Sequence, residues 1–120
     1  MLAQAILESN WGNSRFAKEG NNYFGMRTWD PSKKQIKPLK RPNADFGLIV
    51  YSSACESVKD YISNLNNSDQ YESFRKIREL EIKLWGKADP KVLAKGLGNY
   101  SEEKDEYINK VIDKIRILQN

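Results

Sequence analysis

Three of the four prolines in this 120-residue chain, Pro31, Pro38 and Pro42, fall between Asp30 and Asp45. Proline fixes φ and removes a backbone donor, so such a stretch is neither a helix interior nor a central strand. Lys33, Lys34, Lys37, Lys40 and Arg41 share it. The pattern predicts an extended, exposed loop or hairpin arm. Before it, Leu2, Ala3, Ile6 and Leu7 recur at helical spacing, giving a helix over residues 1–10 that ends near Gly12. Residues 13–30 read as irregular, with a turn signal at Gly20-Asn21-Asn22. After the arm, Phe46 to Tyr51 is a short strand candidate. Ser53-Ala54-Cys55-Glu56 then fits a capping box, and Val58, Tyr61, Ile62 and Leu65 continue on one helical face. Asn66-Asn67-Ser68-Asp69 breaks the chain. Tyr71, Phe74, Ile77, Leu80 and Leu84 outline a second helix. Asp89-Pro90 and Gly98 bound a short third one. Ser101, Glu102 and Glu103 open a last helix, with Ile108, Val111, Ile112, Ile115 and Leu118 as its core face. The fold class is therefore α+β and mainly helical, with a small β arm inserted after the first helix.

Composition narrows the chemistry further. The chain is the size of one domain. Its apolar runs are too short to span a bilayer, so no membrane span is expected. Cys55, the one cysteine, excludes an internal disulfide and reads as a small buried residue near a helix start. There is no histidine, which excludes a histidine triad, a histidine metal site and a histidine pH switch. No metal or cofactor is expected. The net charge is +4. A basic face of this kind attracts nucleic acid, anionic lipid or an anionic polymer such as cell wall, and is elsewhere simply solvated surface. No nucleic-acid readout motif accompanies it, so nucleic acid is not an expected partner. Met1-Leu2-Ala3-Gln4 lacks the basic and long apolar regions of a signal peptide. The chain either acts inside a cell or is a segment of a longer secreted protein.

The catalytic groups left are carboxylates, tyrosines, serines and lysines, a set that best suits carboxylate-centred acid catalysis. Glycoside cleavage is the commonest chemistry run by one or two carboxyl groups without a metal. It needs an acid that keeps its proton near neutral pH. Glu8 is placed for this: it follows Ile6 and Leu7, stands in the last helical turn, and so faces the end of the helix dipole that disfavours an anion. Both features favour the protonated form of a buried Glu8. The plain alternative is a solvated helix residue.

Four motifs bear on that choice. Ala5-Ile6-Leu7-Glu8-Ser9-Asn10-Trp11-Gly12-Asn13-Ser14 resembles the "ALLESGWG.S" motif of the glucosaminidase domains of glycoside hydrolase family 73. Asn21-Asn22-Tyr23-Phe24-Gly25 resembles that family's "NNLFG" element. Val50-Tyr51-Ser52-Ser53, with Glu56-Ser57-Val58 and Tyr61, resembles "F.VYSS..ES...Y". Asn99-Tyr100-Ser101 and Tyr107 resemble "GYAT...Y...L". The ordered set covers residues 5–110. The Asn64-Leu65-Asn66 segment with Tyr71 and Phe74-Arg75 is most similar to the Bax-type branch, which is endo-β-N-acetylglucosaminidase-like.

The resemblance implies one glucosaminidase-like domain over residues 1–120 with a lysozyme-like fold. It also implies hydrolysis of the β-1,4 bond after N-acetylglucosamine in peptidoglycan, in the cell envelope or outside the cell. By motif matching, Glu8 is similar to the general acid, and Tyr100 to a tyrosine lining the site. Asn22, Phe24 and Gly25 are similar to the element that shapes the cleft floor, and Tyr51 belongs to the third motif. Core packing is the competing reading for Phe24, Tyr51 and Tyr100, and the preferred one for Tyr61 and Tyr107. Trp29 is a candidate to stack on a sugar ring, whereas Trp11 reads as buried. Two departures stand out. The position matching a second carboxylate in many relatives is Gly47, and the nearest acid is Asp45. Relatives also place a helix before the Glu motif, where only seven residues stand here. The alternatives kept open are a lytic transglycosylase, which needs no second carboxylate, and a non-catalytic glycan-binding domain of the same fold. The partner expected is peptidoglycan or a related glycan.

Overall fold

A computed structural model describes residues 1–100 and 104–119, without the side chains of Asn99 and Tyr100. The chain divides into two compact units, Met1–Tyr61 and Ile62–Asn120.

The first unit opens with helix α1 (Leu2–Ser9), which buries Ala3, Gln4, Ile6 and Ser9. Asn10 stops it in the left-handed conformation, at φ 49°, a state asparagine tolerates better than most residues. The Trp11 N–H donates back to the Ile6 carbonyl at 3.0 Å. Ser9 pins the turn from inside: its hydroxyl donates to the Ala5 carbonyl and accepts from the Gly12 N–H at 2.9 Å. Its carbonyl accepts from the Ser14 N–H at 2.9 Å.

Helix α2 (Arg15–Gly20) follows at once, capped by the Ser14 hydroxyl on the Ala17 N–H. Residues 13–30 are thus not irregular throughout, and the arm comes after the second helix rather than the first. Six residues are too few for a readable helical period, and the cap at Ser14 is what sets this helix. The arm carries three short antiparallel strands, β1 (Arg27–Thr28), β2 (Gln35–Ile36) and β3 (Gly47–Ile49), in the order β1-β3-β2. Arg27 pairs with Leu48 and Thr28 with Gly47 on one side, and Gln35 with Ile49 and Ile36 with Leu48 on the other. The central strand is buried at every position. Helix α3 (Ala54–Asn67) starts with the Glu56 N–H on the Ser53 hydroxyl, half of the expected capping box. Cys55 lies in its exposed first turn, not in the core as the sequence suggests. Tyr61, on the buried face of α3, stacks on Phe24, with centroids 4.1 Å apart.

In the second unit, helix α4 (Glu72–Trp85) buries Phe74, with Tyr71 just ahead of it. Leu80 and Leu84 are exposed, so the expected apolar face is buried only at its start. Helix α5 (Pro90–Leu93) begins with Asp89 accepting from the Lys91 N–H at 2.9 Å, and a 3₁₀ segment (Ala94–Tyr100) continues from it. A Cβ at Gly96 would lie 2.5 Å from the Phe74 Cα, so glycine is what allows this segment to lie against α4. Helix α6 (Lys104–Gln119) adds Tyr107 and Val111 to the core. Residues 101–103, the expected opening of that helix, lie outside the described residues. The architecture is α+β and mainly helical. Among the described residues no helix is long and apolar enough to cross a membrane.

Candidate active site

Glu8 sits one residue before the Ser9 pivot that ends α1. Its carboxylate faces Gly25. A Cβ built on Gly25 would stand 3.2 Å from Glu8 Oε2 and 3.9 Å from its Cδ. Gly25 has φ +69°, a conformation that L side chains rarely adopt. The absence of a side chain here therefore does two things. It relieves the backbone, and it leaves room for the carboxylate.

Asn22 fixes the loop that brings Gly25 there. Its Oδ1 accepts from the Met26 N–H at 3.0 Å. Its Nδ2 donates to the Met26 carbonyl at 2.9 Å and to the Ile49 carbonyl at 3.0 Å. One buried amide thus closes residues 22–26 and ties them to β3. Phe24, 1% exposed, points into the core and packs on Tyr61. Phe24 and Tyr61 thus form part of the core next to the Gly25 loop.

Beneath the acid runs a support that the sequence reading missed. Gln4, one helical turn before Glu8, is buried and accepts from the Tyr61 hydroxyl. The links Gln4–Tyr61–Phe24 join α1, α3 and the Gly25 loop. Ser57, fully buried on α3, accepts from the Tyr23 N–H at 3.3 Å. The polar character of Gln4 and Ser57 hides them from any search for apolar stripes. Their regular spacing from Glu8 and Tyr61 is the one available signal.

The other expected residues are placed differently. Asp45 is exposed, just ahead of Phe46 and β3. Gly47, the position matched by motif to a second carboxylate, is crowded by Gln35. A Cβ at 47 would lie 2.3 Å from Gln35 Oε1 and 2.9 Å from Gln35 Cβ. Gln35 is itself anchored, its Nε2 donating to the Asp30 and Lys33 carbonyls at 3.0 Å each. Tyr51 is half-buried, and its hydroxyl donates to Asp60 Oδ2. Burial first, then that bond and the Asp60 charge, push the phenol well above its ordinary range. Trp29 is 61% exposed, its ring centroid 6.1 Å from that of Phe46. Trp11 is 58% exposed, not buried, because the left-handed turn at Asn10 to Gly12 carries it off the α1 face. The Tyr100 side chain lies outside the described residues. Among the described residues no group of three or more potential metal ligands is assembled.

A carboxylate at a helix end, facing a glycine in a mainly helical α+β chain, is a group of the kind that carboxylate-centred glycoside cleavage uses. The chain belongs to the glucosaminidase family, whose model, described as mannosyl-glycoprotein endo-beta-N-acetylglucosaminidase, matches residues 1–120. It is similar to Protein bax of Escherichia coli (strain K12), 36% identical over 109 residues, which are 91% of this chain and 38% of that protein. It is 37% identical over 68 residues to the exo-glucosaminidase LytG of Bacillus subtilis (strain 168), covering 50% of this chain and 23% of that protein. It is 30% identical over 83 residues to the peptidoglycan hydrolase FlgJ of Salmonella typhimurium, covering 59% and 26%. The chain thus spans well under half the length of these relatives. No solved structure matches it.

Proposed function

We propose that the chain hydrolyses the β-1,4 bond after N-acetylglucosamine in bacterial peptidoglycan, with Glu8 as the general acid. The observation that carries this reading is the Glu8 carboxylate set against Gly25 at the end of α1, within a chain that belongs to the glucosaminidase family. The likeness to FlgJ, a peptidoglycan hydrolase, and to LytG, an exo-glucosaminidase, supports glycan of the wall as substrate. Glu8 gives its proton to the bridging oxygen as the bond from C1 breaks. Water then adds at C1 and loses a proton. Asp45 is the side chain offered for that second task, Tyr100 lines the site, and Trp29 and Tyr51 are offered to the glycan. Asn22, Phe24 and Gly25 hold the wall beside the acid. The place of action is the cell envelope or outside the cell, in one domain over residues 1–120.

The crowding at Gly47 favours a second reading, a lytic transglycosylase. There the bond cut is the one after N-acetylmuramic acid: Glu8 protonates the leaving oxygen, the 6-hydroxyl of that muramic residue closes on its own C1 and gives up its proton, and no second carboxylate is needed. The two differ in product. Mass spectrometry of digested peptidoglycan is expected to show reducing N-acetylglucosamine ends; 1,6-anhydromuramic ends would establish the second reading. In either case Glu8→Gln, which keeps shape and loses the transferable proton, is expected to lower turnover by about 10²-fold or more. Full turnover in a folded Glu8→Gln protein would overturn both. Glycan binding without turnover by the parent protein would leave a non-catalytic domain of the same fold.

A further inference from the structure

The arm that leaves the Gly25 loop is where all of the chain's charge excess lies. Between Arg27 and Asp45 stand six cations, Arg27, Lys33, Lys34, Lys37, Lys40 and Arg41, against two carboxylates, Asp30 and Asp45. That excess of four equals the net charge of the whole chain, so the remaining residues balance. Asp30 accepts from the backbone N–H and hydroxyl of Ser32, at 3.0 and 2.7 Å, which hold its carboxyl below the usual range. Lys37 is structural, with Nζ donating to the Ala44 and Phe46 carbonyls at 3.0 and 3.1 Å. Arg27, Lys33, Lys34, Lys40 and Arg41 make no ion pair among the described residues, whereas cations elsewhere pair with carboxylates along α2, α3, α4 and α6.

The two arginines are held in place by an aromatic ring. Phe46 is buried, and over its ring lie the guanidinium carbons of Arg27 at 4.4 Å and Arg41 at 5.5 Å. Stacking of this kind leaves the in-plane N–H donors of a guanidinium directed outward, where they match a carboxylate or phosphate. Trp29 is two residues after Arg27, on the same face of the extended chain, and offers an open indole beside them. An open indole suits the apolar face of a sugar, and two fixed guanidiniums suit an anion.

We propose that Arg27, Arg41 and Trp29 form a subsite that binds anionic glycan, a sugar strand carrying carboxylate groups, in preference to a neutral strand of equal length. This rests on the proposed function for the relevance of glycan, and it adds a charge requirement to it. The subsite begins two residues after Gly25, so a strand seated there continues the wall that faces Glu8.

The test measures binding of the full chain by calorimetry to two oligosaccharides of equal length, a peptidoglycan fragment with free carboxylates and a neutral chitin-type oligomer. The anionic ligand is expected to bind about tenfold more tightly, or about 1.4 kcal/mol. The preference is expected to shrink as salt rises, since exposed charges are screened over about 10 Å at 0.1 M. Arg27→Gln/Arg41→Gln is expected to abolish the preference while keeping the affinity for the neutral ligand. Trp29→Ala is expected to weaken both ligands alike. Arg27→Lys/Arg41→Lys keeps charge without the planar stack and is expected to retain part of the preference, which guards against loss of Phe46 packing as the cause. Equal binding of the two ligands overturns the proposal, and so does tighter binding of single-stranded DNA of matched charge, which would mark a general polyanion surface. Cleavage of the neutral oligomer is followed in the same samples. Cleavage without charge preference removes this inference alone. Charge preference without any role for Glu8 in cleavage removes the proposed function alone.

Discussion

The Glu8 carboxylate and the Gly25 backbone occupy adjoining space, and a single methyl group at position 25 would come within 3.2 Å of Oε2. Gly25→Ala therefore carries two separate costs. The backbone at φ +69° disfavours any side chain, at about 1–2 kcal/mol. The new methyl also displaces the acid from its seat. Turnover is expected to fall by more than stability alone explains, and a thermal melt beside an initial-rate assay checks this. An alanine variant with full turnover would show that the carboxylate does not need this position.

Asn22 holds that glycine from a distance. The three hydrogen bonds of its side chain go to backbone groups of Met26 and Ile49. Asn22→Ala takes the acceptor from the Met26 N–H, at about 1–3 kcal/mol if water cannot reach it, while the Met26 carbonyl keeps the Ile49 N–H at 3.0 Å. Asn22→Asp keeps the bond from the Met26 N–H and loses the two donors, setting a carboxylate against two carbonyls. Both variants are expected to be destabilised, and chemical denaturation measures it. Urea midpoints equal to the parent's would show that the loop closes without this amide.

The contrast between Glu8 and Gly25 shows what the sequence could convey. Glu8 is legible because a helix period and its end are local, and both survive in α1. The approach of Gly25 is not local: it depends on an amide at 22 reaching a strand at 49. The sequence places Trp11 inside because the stop signal at Gly12 implies a helix end, not the run of left-handed residues from Asn10 that exposes it. Cys55 reads as buried from its residue type, yet it stands in a solvated first turn beside a genuine cap. Leu80 and Leu84 keep helical spacing yet stay exposed, since periodicity identifies a face without saying what lies against it. The Gln4–Tyr61 bond was invisible because buried polar pairs carry no period.

Tyr61→Phe tests that last bond. It leaves the buried Gln4 side chain without the hydroxyl it accepts from. Gln4→Leu removes the amide as well. In a double-mutant cycle the two changes are expected to be non-additive by about 0.5–3 kcal/mol, the double variant being more stable than the sum of the singles predicts. Strict additivity would mean that the bond contributes nothing to the fold.

The Tyr51–Asp60 pair predicts a pH dependence. In the folded chain the phenol is held well above 10.0, its ordinary value, by burial and by Asp60. The unfolded chain loses that proton near the ordinary value, so the folded form binds more protons at alkaline pH. The stabilisation is complete below about pH 10 and is lost as pH rises from there toward the folded value. Tyr51→Phe is expected to be the less stable protein at neutral pH and to show a flatter decline in alkali. Parallel melting curves for the two proteins from pH 8 to 11, a range bracketing the ordinary phenol value, would contradict this.

Position 47 tests whether the chain tolerates a carboxylate at the place where motif matching expects one. Gly47→Glu sets a Cβ where Gln35 already stands, 2.9 Å from its Cβ. Because Gln35 is tied to the Asp30 and Lys33 carbonyls, it does not swing aside freely. The single variant is expected to be destabilised by about 1–3 kcal/mol, the usual scale of overpacking, and to gain no activity. Gln35→Gly opens the space, so Gln35→Gly/Gly47→Glu is expected to be more stable than the two separate losses predict. If that double variant also cleaves peptidoglycan faster than Gln35→Gly alone, a carboxylate at this point of β3 reaches the reacting bond, and hydrolysis in the parent chain proceeds without one. If it folds and cleaves no faster, a carboxylate at position 47 has no place in the mechanism of this chain, and the second task falls to Asp45 or to a route that needs a single acid.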